Sequence, residues 1–143
     1  MPKLNRIIET ALYAADLDRA KRFYHDILSL TSILEADSLA AYDVGGQSVL
    51  LLFKRGASAK TQVFAGGAGA TKGEIPPHGG SGQLHMCFAI DADQLGQWEV
   101  RLGEKGIPIE GRTQWAGGGE SIYFRDPDGH LLELMTPGNW PIY

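Results

Sequence analysis

The chain has 143 residues, room for one domain with a substantial core, and its 43% hydrophobic and 21% charged content is that of an ordinary globular protein. A formal net charge of −4 and a pI of about 5.5 argue against nucleic acid as a bulk electrostatic partner. A single cysteine, Cys87, excludes an internal disulfide and any CxxC metal site.

No segment approaches the roughly 18 apolar residues of a membrane span, and the first ten residues, MPKLNRIIET, lack the apolar core of a signal peptide. A cytoplasmic protein with no membrane partner is expected.

The first predicted element is a strand over Ile7–Ala14, with Ile8, Thr10 and Leu12 on one face and Glu9, Ala11 and Tyr13 on the other. Asp16 or Asp18 can cap the helix that follows. Its apolar positions Leu17, Ala20, Phe23, Tyr24, Ile27 and Leu28 recur at three- and four-residue spacing. Three strands are predicted next, Ser32–Ala36, Leu39–Val44 and Gln47–Phe53, the last two joined at Gly45-Gly46.

Lys54–Gln83 breaks the pattern. It carries eight glycines and Pro76-Pro77 and is expected to be without regular structure, either a lid over a site or a linker. Its GGAGATKG stretch is not GxxxxGK[ST], and neither a feeding strand nor a clear following helix frames it as a phosphate loop.

The second half opens with a strand over Leu84–Ile90. Leu84, Met86, Phe88 and Ile90 form its apolar face, and His85, Cys87 and Ala89 lie opposite. Asp91 or Asp93 can cap a second amphipathic helix whose apolar positions are Leu95, Trp98, Val100 and Leu102, ended by Gly106. Ile107–Glu110 and Arg112–Trp115 read as strand segments. Ser121–Arg125 and His130–Thr136 read as a hairpin around Asp126-Pro127-Asp128-Gly129, where proline presets φ and glycine supplies the left-handed position. Asp126, Asp128 and His130 are assigned to the turn. Cys87 reads as a small buried hydrophobe, since no adjacent histidine or helix N-terminus activates it.

Strand, helix, three strands therefore occurs twice. Matching ETALYAADL to HMCFAIDAD puts Glu9 in the place of His85, and matching VLLLF to LLELM puts Leu51 in the place of Glu133, to within a residue. Glu133 stands among Leu131, Leu132, Leu134 and Met135. It is either a solvent-facing residue of an alternating strand or a buried carboxylate that requires a partner. With their free faces inward, two such sheets would gather Glu9, His85 and Glu133. Two carboxylates and an imidazole suit one divalent ion, Mn²⁺, Fe²⁺, Zn²⁺, Ni²⁺ or Co²⁺, with positions left open for a substrate oxygen.

Three stretches, AADLDRAKRFYHDILSL, the strand opened by His85, and FRDPDGHLLEL, make most of the chain resemble the vicinal oxygen chelate superfamily of glyoxalases, bleomycin- and fosfomycin-resistance proteins and extradiol dioxygenases. The resemblance implies an α+β fold in which two βαβββ modules form a curved, cup-shaped mixed sheet with helices outside. The modules would span about 5–54 and 84–137, with a glycine-rich connection at 55–83 and a tail at 138–143. It implies metal ligands at Glu9, His85 and Glu133, the last also the candidate catalytic group, and a homodimer whose sites draw ligands from both subunits.

Departures from the superfamily's named activities are visible in the residues. The first ligand is often His or Gln there and is Glu9 here. Glyoxalase I places an acidic ligand and base where this chain has Leu51, which disfavours a hemithioacetal isomerase of that type. Ser121 and Tyr123 match phosphonate contacts of the fosfomycin enzymes, whose upstream cation falls near Thr113. Tyr13, Trp115, Tyr123 and Trp140 can wall the cup, with Arg125, Lys54 and His78 as polar contacts. Two functions follow: a metal-dependent enzyme acting on a small oxygenated or electrophilic molecule by isomerisation, addition or ring cleavage, or a metal-free, bleomycin-resistance-like protein that sequesters an aromatic or cationic small molecule, with Glu9 and Glu133 facing it as charges.

Overall fold

A computed structural model describes residues 1–143. They form two compact units, Met1–His25 with Ser29–Ser81, and Asp26–Leu28 with Gly82–Tyr143.

The first unit holds β1 (Glu9–Ala14), α1 (Leu17–Asp26), β2 (Thr31–Glu35), β3 (Leu39–Val44) and β4 (Ser48–Lys54), in sheet order β1-β4-β3-β2. β1 runs parallel to β4; the other pairs are antiparallel. Of the two candidate caps, Asp16 does the capping. Its Oδ1 accepts the Arg19 N–H at 3.0 Å, and that bond holds its carboxyl below the usual range. α1 buries Leu17, Ala20, Phe23 and Tyr24, while the sheet buries Leu12, Ala14, Ala40, Tyr42, Leu50 and Leu52. The Tyr24 and Tyr42 rings stand 6.3 Å apart across that layer. Gly45 and Gly46 both take positive φ, 63° and 68°, which the tight β3–β4 turn requires.

The segment expected to lack regular structure contains a hairpin, β5 (Gln62–Ala65) with β6 (Lys72–Ile75). Two short strands among so many glycines leave little alternation to read. The arm is closed at its base by the His78 N–H donating to the Ser58 carbonyl at 2.9 Å.

The second unit holds β7 (His85–Ala89), a 3₁₀ turn at Ala92–Gln94, α2 (Leu95–Glu104), β8 (Gly111–Gln114), β9 (Glu120–Arg125) and β10 (Leu131–Met135), in sheet order β7-β10-β9-β8. β7 is parallel to β10. Ile122, Phe124, Leu132 and Leu134 are buried in the sheet and Leu102 in the helix.

Several local expectations are corrected here. Asp91 precedes the 3₁₀ turn without a side-chain cap. Val100 is 61% exposed. At 100° per residue it lies about 200° round the helix from Leu102, off the face defined by Leu95, Trp98 and Leu102. Ile107–Glu110 is not a strand. Pro108 has no N–H to give a ladder, and pairing begins only when the Glu110 N–H reaches the Tyr123 carbonyl at 2.8 Å. Cys87 is exposed rather than buried.

The repeat is confirmed by register. Glu9 pairs with Val49 as His85 pairs with Leu131, and Ala11 pairs with Leu51 as Cys87 pairs with Glu133. The Val49 N–H to Ile8 carbonyl bond and the Leu131 N–H to Leu84 carbonyl bond are both 2.8 Å. Glu9 and His85 are thus structural equivalents, as are Leu51 and Glu133.

Candidate metal centre

Parallel pairing of β7 with β10 and antiparallel pairing of β10 with β9 put Cys87, Glu133 and Tyr123 in one row across the second sheet. Strand alternation then places His85, Cys87, Glu133, Tyr123 and Ser121 on one face. Glu133 is buried, with a side chain only 5% exposed. The solvent-facing alternative is thereby excluded.

The environment of that carboxylate is incomplete. His85 Nε2 lies 3.3 Å from Glu133 Oε2, and Glu133 Oε1 is buried with no hydrogen-bond partner. His85 Nδ1 lies 3.0 Å from the Leu131 carbonyl oxygen. A carbonyl only accepts, so Nδ1 carries the proton and donates it, and in the neutral ring Nε2 then presents a lone pair. A lone pair facing a carboxylate oxygen is favourable only with a cation between or beside them, a proton or a metal ion. Two donors each about 2.1 Å from one ion stand about 3.0 to 3.4 Å apart at right-angle to tetrahedral geometry, and the observed separation falls in that span. The Nδ1–carbonyl bond is the kind of outer contact that fixes a ligating histidine. The donor set, the orphaned Oε1 and the fixed ring all fit a divalent ion.

Beside this pair, Cys87 is a poor nucleophile. Although the residue as a whole is exposed, the atoms around the thiol desolvate it, and the neighbouring Glu133 carboxylate adds repulsion, so the thiol is pushed up to about 12.

Glu9 opens β1 in the first unit and is exposed. No group of three or more His, Cys, Asp or Glu side chains is arranged to hold a metal ion in the single chain. Of the three expected ligands, the structure brings His85 and Glu133 together.

The expected substrate contacts divide between the units. In the second, the Trp115 indole N–H donates to Ser121 Oγ at 2.8 Å, and Ser121 is 1% exposed. Trp115 therefore holds Ser121, and Tyr123 is the half-buried group directly across from Glu133. Arg125 is engaged by Glu110 at 3.0 Å and the Gly129 carbonyl at 3.1 Å, a structural use. Trp140 is 65% exposed. In the first unit, Tyr13 stacks on Phe53 with centroids 5.8 Å apart, and its hydroxyl lies 2.8 Å from His78 Nδ1. The His78 ring stands edge-on to Phe53 at 4.6 Å. Gly80 packs so closely that a Cβ there would come within 2.5 Å of the Tyr13 ring. The glycine-rich connection is thus seated on the first unit's aromatic pair, beside the exposed Lys54 end of β4. His130, read from the sequence as a turn residue, does belong to that turn, and what went unread is its reach: the ring extends out of the turn and accepts the Leu84 N–H. A histidine directly after an Asp-Pro-Asp-Gly turn, at the mouth of an apolar strand, was the available signal.

Comparison with known proteins agrees with the two-module fold. The Glyoxalase family model, described as the Glyoxalase/Bleomycin resistance protein/Dioxygenase superfamily, matches residues 6–134. The chain is 30% identical over 135 residues to the metallothiol transferase FosB of Shouchella clausii, covering 93% of this chain and 81% of that protein. It is 30% identical over 123 residues to FosB of Bacillus licheniformis, covering 85% and 69%. Among solved structures it resembles lactoylglutathione lyase from Agrobacterium tumefaciens, with a TM-score of 0.85 and 34% identity over 99% of this chain and 100% of that one.

Proposed function

Because the chain belongs to the Glyoxalase/Bleomycin resistance protein/Dioxygenase superfamily, we propose that it is a divalent-metal-dependent enzyme that adds a thiol to a small oxygenated electrophile. The buried, partnerless Glu133 Oε1 carries the metal half of this reading. In a protein that sequestered an aromatic or cationic compound, Glu133 would face the ligand as a charge; here its side chain is buried against the His85 imidazole, and leaving its second oxygen open costs about 1–3 kcal/mol that a bound divalent ion would offset. Glu133 and His85 would hold the ion, and Glu9, in the place His85 occupies in the repeat, is the candidate for a third ligand. The ion would be Mn²⁺, Fe²⁺, Zn²⁺, Ni²⁺ or Co²⁺. When bound, it supplies Lewis-acid stabilisation of the negative charge that grows on a substrate oxygen.

The chain's own residues orient the reactants. Leu131 fixes the His85 ring through its carbonyl. Tyr123, across from Glu133, offers a hydroxyl to the substrate, and Trp115 keeps Ser121 in place on the same face. In thiol addition a C–S bond forms as a C–O bond of the electrophile opens, and the thiol proton passes to the departing oxygen. Cys87 takes no part as nucleophile; the thiol comes from a second substrate. Tyr13 and His78 belong to the aromatic face of the first unit, and Tyr13 is a candidate contact for the organic part of the substrate.

The relatives named metallothiol transferase support the addition reading. Isomerisation of a thiol adduct is the second reading, favoured by the 34% identity to a lactoylglutathione lyase. Against it stands Leu51, which gives the first sheet no carboxylate to match Glu133. The working unit is proposed to be a cytoplasmic homodimer with sites shared between subunits.

The test is metal analysis after chelator-free purification, followed by turnover assays with Mn²⁺ and a low-molecular-weight thiol. An epoxide and a hemithioacetal serve as alternative substrates. Consumption of thiol with the epoxide supports addition, and product from the hemithioacetal alone supports isomerisation. Tight capture of a small molecule without metal overturns both in favour of sequestration.

A further inference from the structure

We propose that His130 is a positioning residue, the pin that sets the register of β7 against β10 and thereby brings His85 to Glu133. The inference rests on the reading of that pair as metal ligands. A parallel strand pair has no hairpin to fix its register. His85 and Leu131 are partners separated by 46 residues of chain, including α2 and two further strands. A one-residue slip would turn Glu133 to the opposite face of the sheet. A two-residue slip would keep the face and carry the carboxylate about 7 Å along the strand, out of reach of the imidazole.

The structure shows what opposes such slips. His130 is 1% exposed. Its backbone N–H donates to Asp126 Oδ1 at 2.9 Å, as does that of Asp128, so the turn grips the base of the residue. Its ring reaches across to the neighbouring strand, where Nδ1 accepts the Leu84 N–H at 3.0 Å. The Leu84 carbonyl in turn accepts the Leu131 N–H at 2.8 Å. The Leu131 carbonyl accepts from His85 Nδ1 at 3.0 Å. An unbroken series of bonds therefore runs from the Asp126 turn through the His130 ring and the Leu84 and Leu131 peptides to the His85 ring. In the first sheet the place of His130 is taken by Ser48, which is only half-buried and has no ring to reach the Ile8 amide. The pin occurs in the sheet that holds a histidine–glutamate pair to be aligned.

His130→Leu removes the acceptor and keeps an apolar bulk; His130→Asn keeps a carbonyl able to accept the Leu84 N–H. Both are measured first without metal, by amide hydrogen exchange and by ¹⁵N shifts of the His85 ring. His130→Leu should speed exchange at Leu84 about tenfold or more and convert the His85 ring from one Nδ1–H form to a mixture of tautomers, with protection at Phe124 and Leu132 kept. His130→Asn should retain part of both signatures, and it alone decides the matter if His130→Leu fails to fold. Co²⁺ titration should then show an affinity about 10- to 100-fold weaker for His130→Leu than for the unaltered chain, the range expected for a supporting contact. Unchanged Leu84 exchange and His85 ring shifts in His130→Leu overturn the proposal, as does a uniform rise in exchange across all core amides. If the unaltered chain binds no Co²⁺, the metal reading of the pair fails on its own, and the metal-free measurements still judge the role of His130.

Discussion

The two sheets share one topology and one register and differ in what they carry. On the open face of the first stand Glu9, Tyr13, Leu51 and Phe53; at the same places in the second stand His85, Ala89, Glu133 and Met135. One face is aromatic and apolar with a single acid at its edge. The other holds a buried carboxylate against an imidazole, with Tyr123 in the next strand. The backbone repeat accounts for the fold, since alternation and the βαβββ order bury Leu50 and Leu52 in one sheet as they bury Leu132 and Leu134 in the other. The chemistry lies in a few exchanges on the opposite face, which leave those buried layers alone.

Making the sheets alike at one position should have the largest effect. Glu133→Leu copies Leu51 into the second sheet. It replaces a buried carboxylate that has one oxygen without a partner by an apolar group and should raise the stability of the metal-free protein by about 1–3 kcal/mol. It should also abolish metal binding, read by denaturant unfolding and by calorimetry with Mn²⁺. The reverse exchange, Leu51→Glu, sets a charge in a half-buried apolar strand position and should destabilise by about 1–3 kcal/mol in the same unfolding assay. Trp115→Phe removes the indole N–H that Ser121 accepts in the second sheet and should cost about 1 kcal/mol. Its turnover should fall if Ser121 must be held in place, and the kcat and KM of the variant report which. Smallest is Asp16→Ala at the exposed cap of α1, which should lower the melting temperature slightly at neutral pH. The Asp16 carboxyl is held below the usual range, so its contribution is complete above that range and is lost as pH falls through the folded-state value. Melts of Asp16→Ala and the unaltered chain should converge in acid.

Much of this was legible in the residues. Period-two and period-3.6 patterns located most of the strands and both helices, and aligning ETALYAADL with HMCFAIDAD put Glu9 and His85 at equivalent places, as their strand partners Val49 and Leu131 confirm. What was not legible depended on three-dimensional neighbours. Exposure of Val100 follows from which side of α2 meets the sheet. The β5–β6 hairpin is hidden because Gly66, Gly67, Gly69 and Gly73 erase the alternation around it. The reach of His130 to Leu84 joins residues 46 apart in sequence, and only the parallel pairing of β7 with β10 makes them neighbours.

Thermal melts at pH 7, with and without millimolar Mn²⁺, Ni²⁺ or Zn²⁺, decide whether His85 and Glu133 form a metal centre. An ion that binds only the folded chain stabilises it by about 2.7 kcal/mol at one hundred times its dissociation constant. The melting temperature of the unaltered chain should therefore rise with at least one of these ions, and that of Glu133→Leu should not move. No rise in the unaltered chain with any ion, or an equal rise in both proteins, would contradict the metal centre.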